Sequence, residues 1–175
     1  MRKPVAGEKV FVFQPETKRC KAHWVETSVT KTWLESGSFV FETNDSVDYL
    51  IYMLGTNDTK TKFNHPPELI SQAITQKINW VKSYNKENGG QTKIILLAPP
   101  QINLRHLKAT SKFYASSNEK ILKLAEDLKV ISQVHNTDFI DLSKILTGSI
   151  HDGVHLTVED NQKIARLIAS EILRK

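Results

Sequence analysis

Two short runs of the sequence contain residue types that can catalyse acyl transfer. In the first, Asp152 precedes His155 by three positions, just before a C-terminal amphipathic segment. A turn of this spacing can place the carboxylate against one imidazole nitrogen, which fixes the tautomer and leaves the other nitrogen to take a proton from a hydroxyl. In the alternative interpretation, Asp152 caps a turn and His155 packs near a helix start.

The second run, Gly55-Thr56-Asn57-Asp58, follows the apolar stretch 49–54. The side-chain N–H of Asn57 is a hydrogen-bond donor, and a donor held at a strand end can stabilise an oxyanion. Loss of one such donor typically slows a reaction by about 10²–10³. Gly55 would let a substrate approach the backbone closely. Alone, this run is also typical of an ordinary turn, because Gly and Asn favour turns.

A scaffold must bring these two runs together, and the hydrophobic pattern predicts one. Short apolar segments alternate with amphipathic ones. The predicted strands are 10–13, 38–42, 49–54, 93–98 and 137–142, and the predicted helices are 22–34, 66–84, 116–134 and 158–173. Such alternation favours a parallel sheet covered by helices on both faces. Ligands bind such sheets beyond the carboxyl ends of the strands, which both runs follow.

Local signals mark the ends of two predicted helices. Pro66 and Pro67 open the helix over 66–84, since proline is tolerated in a first turn, and the pair at 89–90 closes it with glycine. Thr157 and Asp160 resemble a capping box whose acid is one carbon shorter than the usual Glu.

The bulk composition limits the classes of function. The chain has 175 residues, 39% of them hydrophobic and 25% charged, which is typical of one globular domain over residues 1–175. Its net charge of +5 is spread along the sequence without interleaved aromatics, so no nucleic-acid partner is predicted. Exposed sheet edges favour self-association into a homo-oligomer.

Cysteine content and hydropathy bear on the compartment. The single Cys20 excludes an internal disulfide. No apolar stretch approaches the length of a membrane span, and Gly7, Glu8 and Lys9 interrupt any signal-type run near the start. We therefore expect a cytoplasmic protein with no membrane partner.

The order of these features resembles the SGNH hydrolases, the GDSL-type esterase and lipase family. Residues 55–58 are similar to its third conserved block and residues 152–155 to its fifth, and the resemblance extends over about residues 49–175. The stretches 53–58 and 97–100 are similar to the esterase branch. The resemblance implies a three-layer α/β/α sandwich with a flavodoxin-like, five-stranded parallel sheet.

The same resemblance implies a function and a set of roles. The protein would hydrolyse a small carboxylic ester through a Ser-His-Asp triad, with no cofactor and no metal. His155 would be the base, Asp152 its orienting acid and Asn57 an oxyanion donor. The neighbouring residues predicted to contact substrate are Gly55, Thr56, Asp58 and Val154. The acyl group and the alcohol are not identified.

The first quarter of the chain departs from the family pattern. The family's Gly-Asp-Ser block is absent, because the strand over 10–13 runs directly into Gln14. Only residues 43–48 separate the next two predicted strands, whereas a parallel pair needs a crossover of about a dozen residues or more. Segments are therefore predicted to be missing after residue 13 and between about 43 and 48.

Two explanations remain open for these missing segments. Either the natural protein contains additional residues there and is a complete enzyme, or it is an internally shortened relative. In the second case it would be a non-catalytic binding domain that retains the sheet edge without the nucleophile.

Other residues are weaker candidates for chemistry. Ser36 and Ser38 lie at the start of a predicted strand, which is the wrong end of the sheet for a nucleophile. Cys20 lies in a basic run that could lower the pKa of its thiol. His151, Asp152 and His155 lack a second ligand cluster apart from the distant His65, so no metal site is predicted.

Overall fold

The computed structural model describes residues 10–13, 47–63, 65–108 and 111–174. Four parallel strands form one sheet in chain order: β1 (Val10–Phe13), β2 (Tyr49–Tyr52), β3 (Lys93–Ala98) and β4 (Asp138–Asp141). Three helices accompany it in this part of the chain: α1 (Pro67–Asn88), α2 (Ala115–His135) and α3 (Val158–Leu173). The predicted α/β class with a parallel sheet is confirmed.

Four of the five predicted strands are present in the described residues. The predicted strand over 38–42 and the predicted helix over 22–34 lie outside them, so the described sheet has four strands rather than five. The missing segments predicted after residue 13 and between 43 and 48 adjoin the same undescribed stretch, 14–46, and stay predictions. The strand predicted over 49–54 ends earlier, at Tyr52.

The two central strands, β2 and β3, are buried on both faces, as their continuous apolar sequences predict. Leu50 and Leu96 face a core formed with α1 and α2. Ile51 and Ile95 face the opposite core, formed with α3. The described residues therefore make three layers, with α1 and α2 on one face of the sheet and α3 on the other.

The predicted helix ends are confirmed where the structure describes them. Pro67 is the first residue of α1, and Gly89 ends the helix in the left-handed conformation, with φ of 67°. Thr157 and Asp160 form the predicted capping box: the Thr157 hydroxyl accepts from the Asp160 N–H at 3.1 Å, and Asp160 accepts from the Thr157 N–H at 3.1 Å. No helix in the described ranges has the length and apolar content needed to cross a membrane.

Replacement of Thr157 by Ala should destabilise the protein, because the first turn of α3 then loses its side-chain acceptor. We expect the free energy of unfolding to fall by about 1 kcal/mol. Thr157→Ser keeps the hydroxyl and should stay close to wild type. Urea unfolding of the two variants measures the difference, and equal midpoints for both would show that the cap contributes nothing.

Candidate active site

The carboxyl ends of the strands coincide at one edge of the sheet. Phe13 pairs with Tyr52, Tyr52 with Leu96, and Ala98 with Asp141. The segments that follow β2, β3 and β4 therefore leave the sheet at this edge. Asn57 lies in the first of these segments and His155 in the last, so the structure places both at the predicted edge.

Asp152 and His155 form the predicted hydrogen-bonded pair. His155 Nδ1 is hydrogen-bonded to Asp152 Oδ2. The other carboxylate oxygen, Oδ1, accepts from the backbone N–H groups of Val154 and His155, each at 2.9 Å. The Ser149 hydroxyl lies 3.5 Å from the same oxygen. The contact is thus confirmed, and its use in catalysis stays a prediction.

These hydrogen bonds hold Asp152 in its ionised form. Partial burial alone would raise the pKa of the Asp152 carboxyl, but hydrogen bonds from the His155 ring and from the two backbone N–H groups outweigh it and hold the pKa well below its usual range. The Asp152 side chain is 22% exposed and that of His155 is 60% exposed. The acid is therefore more shielded from solvent than the imidazole.

Backbone contacts fix the loop that carries the pair. Gly153, with φ of 77°, accepts a hydrogen bond from the Asn103 N–H at 2.8 Å and donates one to the Ser149 carbonyl at 2.9 Å. Gly148 donates to the Gln101 carbonyl at 2.8 Å. A Cβ atom on Gly148 would lie 2.0 Å from the Gly153 oxygen, so no side chain fits there. The loop after β4 is thus pressed against the loop after β3.

Asn57 begins a single 3₁₀ turn, Asn57–Thr59. The turn is held by a hydrogen bond from the Asp58 N–H to the Gly55 carbonyl at 3.1 Å, and by one from the Thr59 hydroxyl to the Thr56 carbonyl at 2.7 Å. Asn57 is half-buried, and its side-chain amide makes no hydrogen bond with the described residues. An oxyanion donor needs an N–H group that can reach the substrate, and this role of Asn57 stays a prediction.

Two of the residues predicted to contact substrate, Asp58 and Gly55, are buried. Asp58 is 6% exposed and interacts electrostatically with Lys77 of α1, which is 4% exposed. Burial lowers the pKa of Lys77 to about 8, against the opposing effect of the Asp58 carboxylate. This placement links the turn to α1, and the contact of Asp58 with a substrate stays a prediction.

Gly55 packs closely against α2. The residue is buried with φ of 113°, and a Cβ atom there would lie 2.5 Å from Leu124 Cδ2. Leu124 of α2 therefore occupies the space next to the Gly55 Cα atom, and the contact of Gly55 with a substrate stays a prediction. Gly55 is required for the positive φ and for this close packing.

Two predicted contacts remain partly exposed. Thr56 precedes Asn57 and is half-buried. Val154 is also half-buried, and it packs on a small apolar cluster that includes Ile102, Phe113 and Ile121. Among the residues that the structure describes, no group of three or more metal-ligating side chains occurs. Ser36, Ser38 and Cys20 lie outside those residues.

A model of the GDSL-like lipase/acylhydrolase family matches residues 23–168. The chain belongs to this family. The predicted resemblance to the SGNH/GDSL family is therefore confirmed. A search of curated proteins finds no match.

Solved structures agree with the fold of this GDSL-family chain. Est24, a carbohydrate acetylesterase from Sinorhizobium meliloti, superimposes with a TM-score of 0.69 at 23% identity, covering 82% of this chain and 66% of its own. The native aryl esterase of M. smegmatis gives a TM-score of 0.69 at 22% identity, with the same coverages of 82% and 66%. The chain thus spans just under two thirds of the length of these relatives.

Gly55→Ala should destabilise the protein for two reasons, since it forces a positive φ on a side-chain-bearing residue and a clash with Leu124. Gly89→Ala is the matched control, because Gly89 also has a positive φ but nothing lies within 4 Å of an added Cβ. We expect Gly89→Ala to cost about 1–2 kcal/mol, and Gly55→Ala at least about 1 kcal/mol more. Denaturant unfolding measures both, and equal losses would rule out the close packing.

Asp152→Asn should reduce stability in a pH-dependent way. A carboxyl whose pKa is lower in the folded state contributes stability that is complete above its unfolded pKa, about 4, and is lost as pH falls toward the folded value. The difference in unfolding free energy between wild type and Asp152→Asn should therefore be complete at pH 5 and shrink as the pH falls toward 2. Urea unfolding at each pH measures it. A difference that grows on acidification would contradict the lowered pKa.

Proposed function

We propose that the protein is a serine esterase, with His155 as the general base, Asp152 as its orienting acid and Asn57 as an oxyanion donor. The observation that carries this proposal is the Asp152–His155 pair beyond the same sheet edge as the Asn57 turn. Family membership over residues 23–168 supports it.

Ester hydrolysis of this type needs a nucleophilic hydroxyl, a base with its orienting acid, and an oxyanion donor. A serine hydroxyl attacks the ester carbonyl while the second ring nitrogen of His155 takes its proton, and Asp152 stabilises the imidazolium. Asn57 donates to the carbonyl oxygen as it becomes negative. His155 returns the proton to the departing alkoxide, which leaves as an alcohol. Water then attacks the acyl-enzyme with the same base and releases a carboxylic acid.

The nucleophile belongs to a segment that the 175-residue sequence does not contain. The register of β1 supports this, because Phe13 pairs with Tyr52 and the chain therefore leaves β1 at the edge that carries Asn57 and His155. In the family, the Gly-Asp-Ser block follows this strand. About a third of each of these two solved esterases lies outside its superposition on this chain, which is compatible with additional residues in the natural protein.

The names of the structural relatives guide the choice of substrate. Est24 is called a carbohydrate acetylesterase and the M. smegmatis protein an aryl esterase. We therefore propose that the substrate is a small ester of a short carboxylic acid with either an uncharged alcohol or a phenol. Para-nitrophenyl acetate is the first substrate to assay.

The proposal is tested on the natural protein and its variants. Wild type should hydrolyse para-nitrophenyl acetate, Asn57→Ala should lower kcat by about 10²–10³, and His155→Ala should lower it by a larger factor. The matched control is His135→Ala at the far end of α2, which should stay within about twofold of wild type because this residue lies outside the site.

The nucleophile is tested separately. A fluorophosphonate probe should label one serine in residues additional to the 175, and the intact mass should exceed 19.9 kDa. A protein of 19.9 kDa that is neither labelled nor active would instead support the alternative of a non-catalytic binding domain.

A further inference from the structure

The first turn of α2 touches the Asn57 turn through Ser117. This serine is fully buried, and its hydroxyl donates to the carbonyl of Thr59, the last residue of the turn, at 3.0 Å. The same hydroxyl accepts from the Tyr114 N–H at 3.2 Å. Its rotamer is therefore fixed from both sides. A second link joins the same two segments, because the Thr61 N–H donates to the Lys112 carbonyl at 3.1 Å.

The next residue of α2, Asn118, reaches the loop that carries Asp152 and His155, here called the dyad loop, through the loop after β3. Its side-chain amide forms a cyclic pair with the backbone of Ile102: Oδ1 accepts from the Ile102 N–H at 2.7 Å, and Nδ2 donates to the Ile102 carbonyl at 2.9 Å. The adjoining Asn103 N–H donates to the carbonyl of Gly153, between Asp152 and His155. Asn118 thus fixes the backbone on which the dyad loop rests.

Apolar side chains of α2 contact the same two parts of the site, one turn after Asn118 and two turns after Ser117. Ile121 packs in the cluster that includes Val154, beside His155. Leu124 lies against Gly55, beside the Asn57 turn. Both contacts connect α2 to the same two halves of the site that Ser117 and Asn118 hold by hydrogen bonds.

We propose that Ser117 and Asn118 are positioning residues that together set the spacing between the oxyanion donor Asn57 and the base His155. Ser117 positions the Asn57 turn, and Asn118 positions the dyad loop. Because the two are consecutive in a rigid helix, with Cα atoms about 3.8 Å apart, a single peptide unit fixes the offset between the two anchors. The catalytic consequence of this spacing rests on the proposed function.

If Ser117 and Asn118 had only a structural role, their replacement would change stability and leave the geometry of the site unchanged. Buried polar side chains often satisfy backbone groups and contribute only to stability. Two residues of this chain do so far from the site. Ser132, near the end of α2, donates to the Lys129 carbonyl at 2.7 Å. Asn85 of α1 forms a cyclic pair with the backbone of Thr92, at 3.0 Å and 3.3 Å. These are matched controls for Ser117 and Asn118.

The experiment compares Ser117→Ala and Asn118→Ala with Ser132→Ala and Asn85→Ala in the natural protein. Proton NMR reports the low-field Nδ1–H of His155 in its bond to Asp152, and an amide spectrum reports the side-chain NH₂ of Asn57. Asn118→Ala should shift or broaden the His155 signal and spare that of Asn57, and Ser117→Ala should do the reverse. Each should lower kcat by about 10-fold or more, since displacements near 1 Å cost up to about 10²-fold.

The controls should lose thermal stability while keeping both signals and kcat. The proposal is overturned if Ser117→Ala and Asn118→Ala behave like their controls, or if each disturbs both signals equally, as general loosening would. If Ser117→Ala does not fold, Ser117→Cys replaces it, because it keeps the size and weakens the hydrogen bond. A wild type without esterase activity would refute the proposed function, and the two NMR signals would still decide the positioning roles.

Discussion

The parallel pairing of β2 and β3 is the constraint on which the rest of the described structure depends. Both strands are buried on their two faces, so neither can place a polar side chain within the sheet without a large desolvation cost. Polar chemistry must therefore begin where the strands end. Because the pairing is parallel, those ends coincide, and segments distant in sequence meet at one edge.

Helix α2 fixes the relative positions of the segments that meet at this edge. It packs on the core face shared with α1, and its first turn reaches both the loop after β2 and the loop after β3. A long rigid helix is suited to this task, since its side chains leave the axis at fixed angles and heights. The loops at the edge have little regular structure of their own, so their contacts with the helix fix their positions.

Sequence reasoning predicted those parts of the molecule that repeat or that act locally. Apolar periodicity predicted the parallel sheet, and the three-residue separation of Asp152 and His155 predicted their contact. It did not predict the close packing of Gly55 against Leu124, which is 69 positions away. It missed Ser117 and Asn118, because their partners are backbone groups 58 and 16 residues distant. Backbone carbonyls carry no residue-specific signal, so such contacts appear only in three dimensions.

The direct contact of backbone at Gly148 and Gly153 limits how this site can be altered by protein engineering. A library that varied either position would consist largely of misfolded members, because the atoms that a new side chain would meet belong to the main chain and have no rotamer to change. The same two loops also carry solvent-exposed positions, at Arg105, Ile150 and His151. Diversity introduced there would change the exposed surface of the two loops while their backbone contact stays intact.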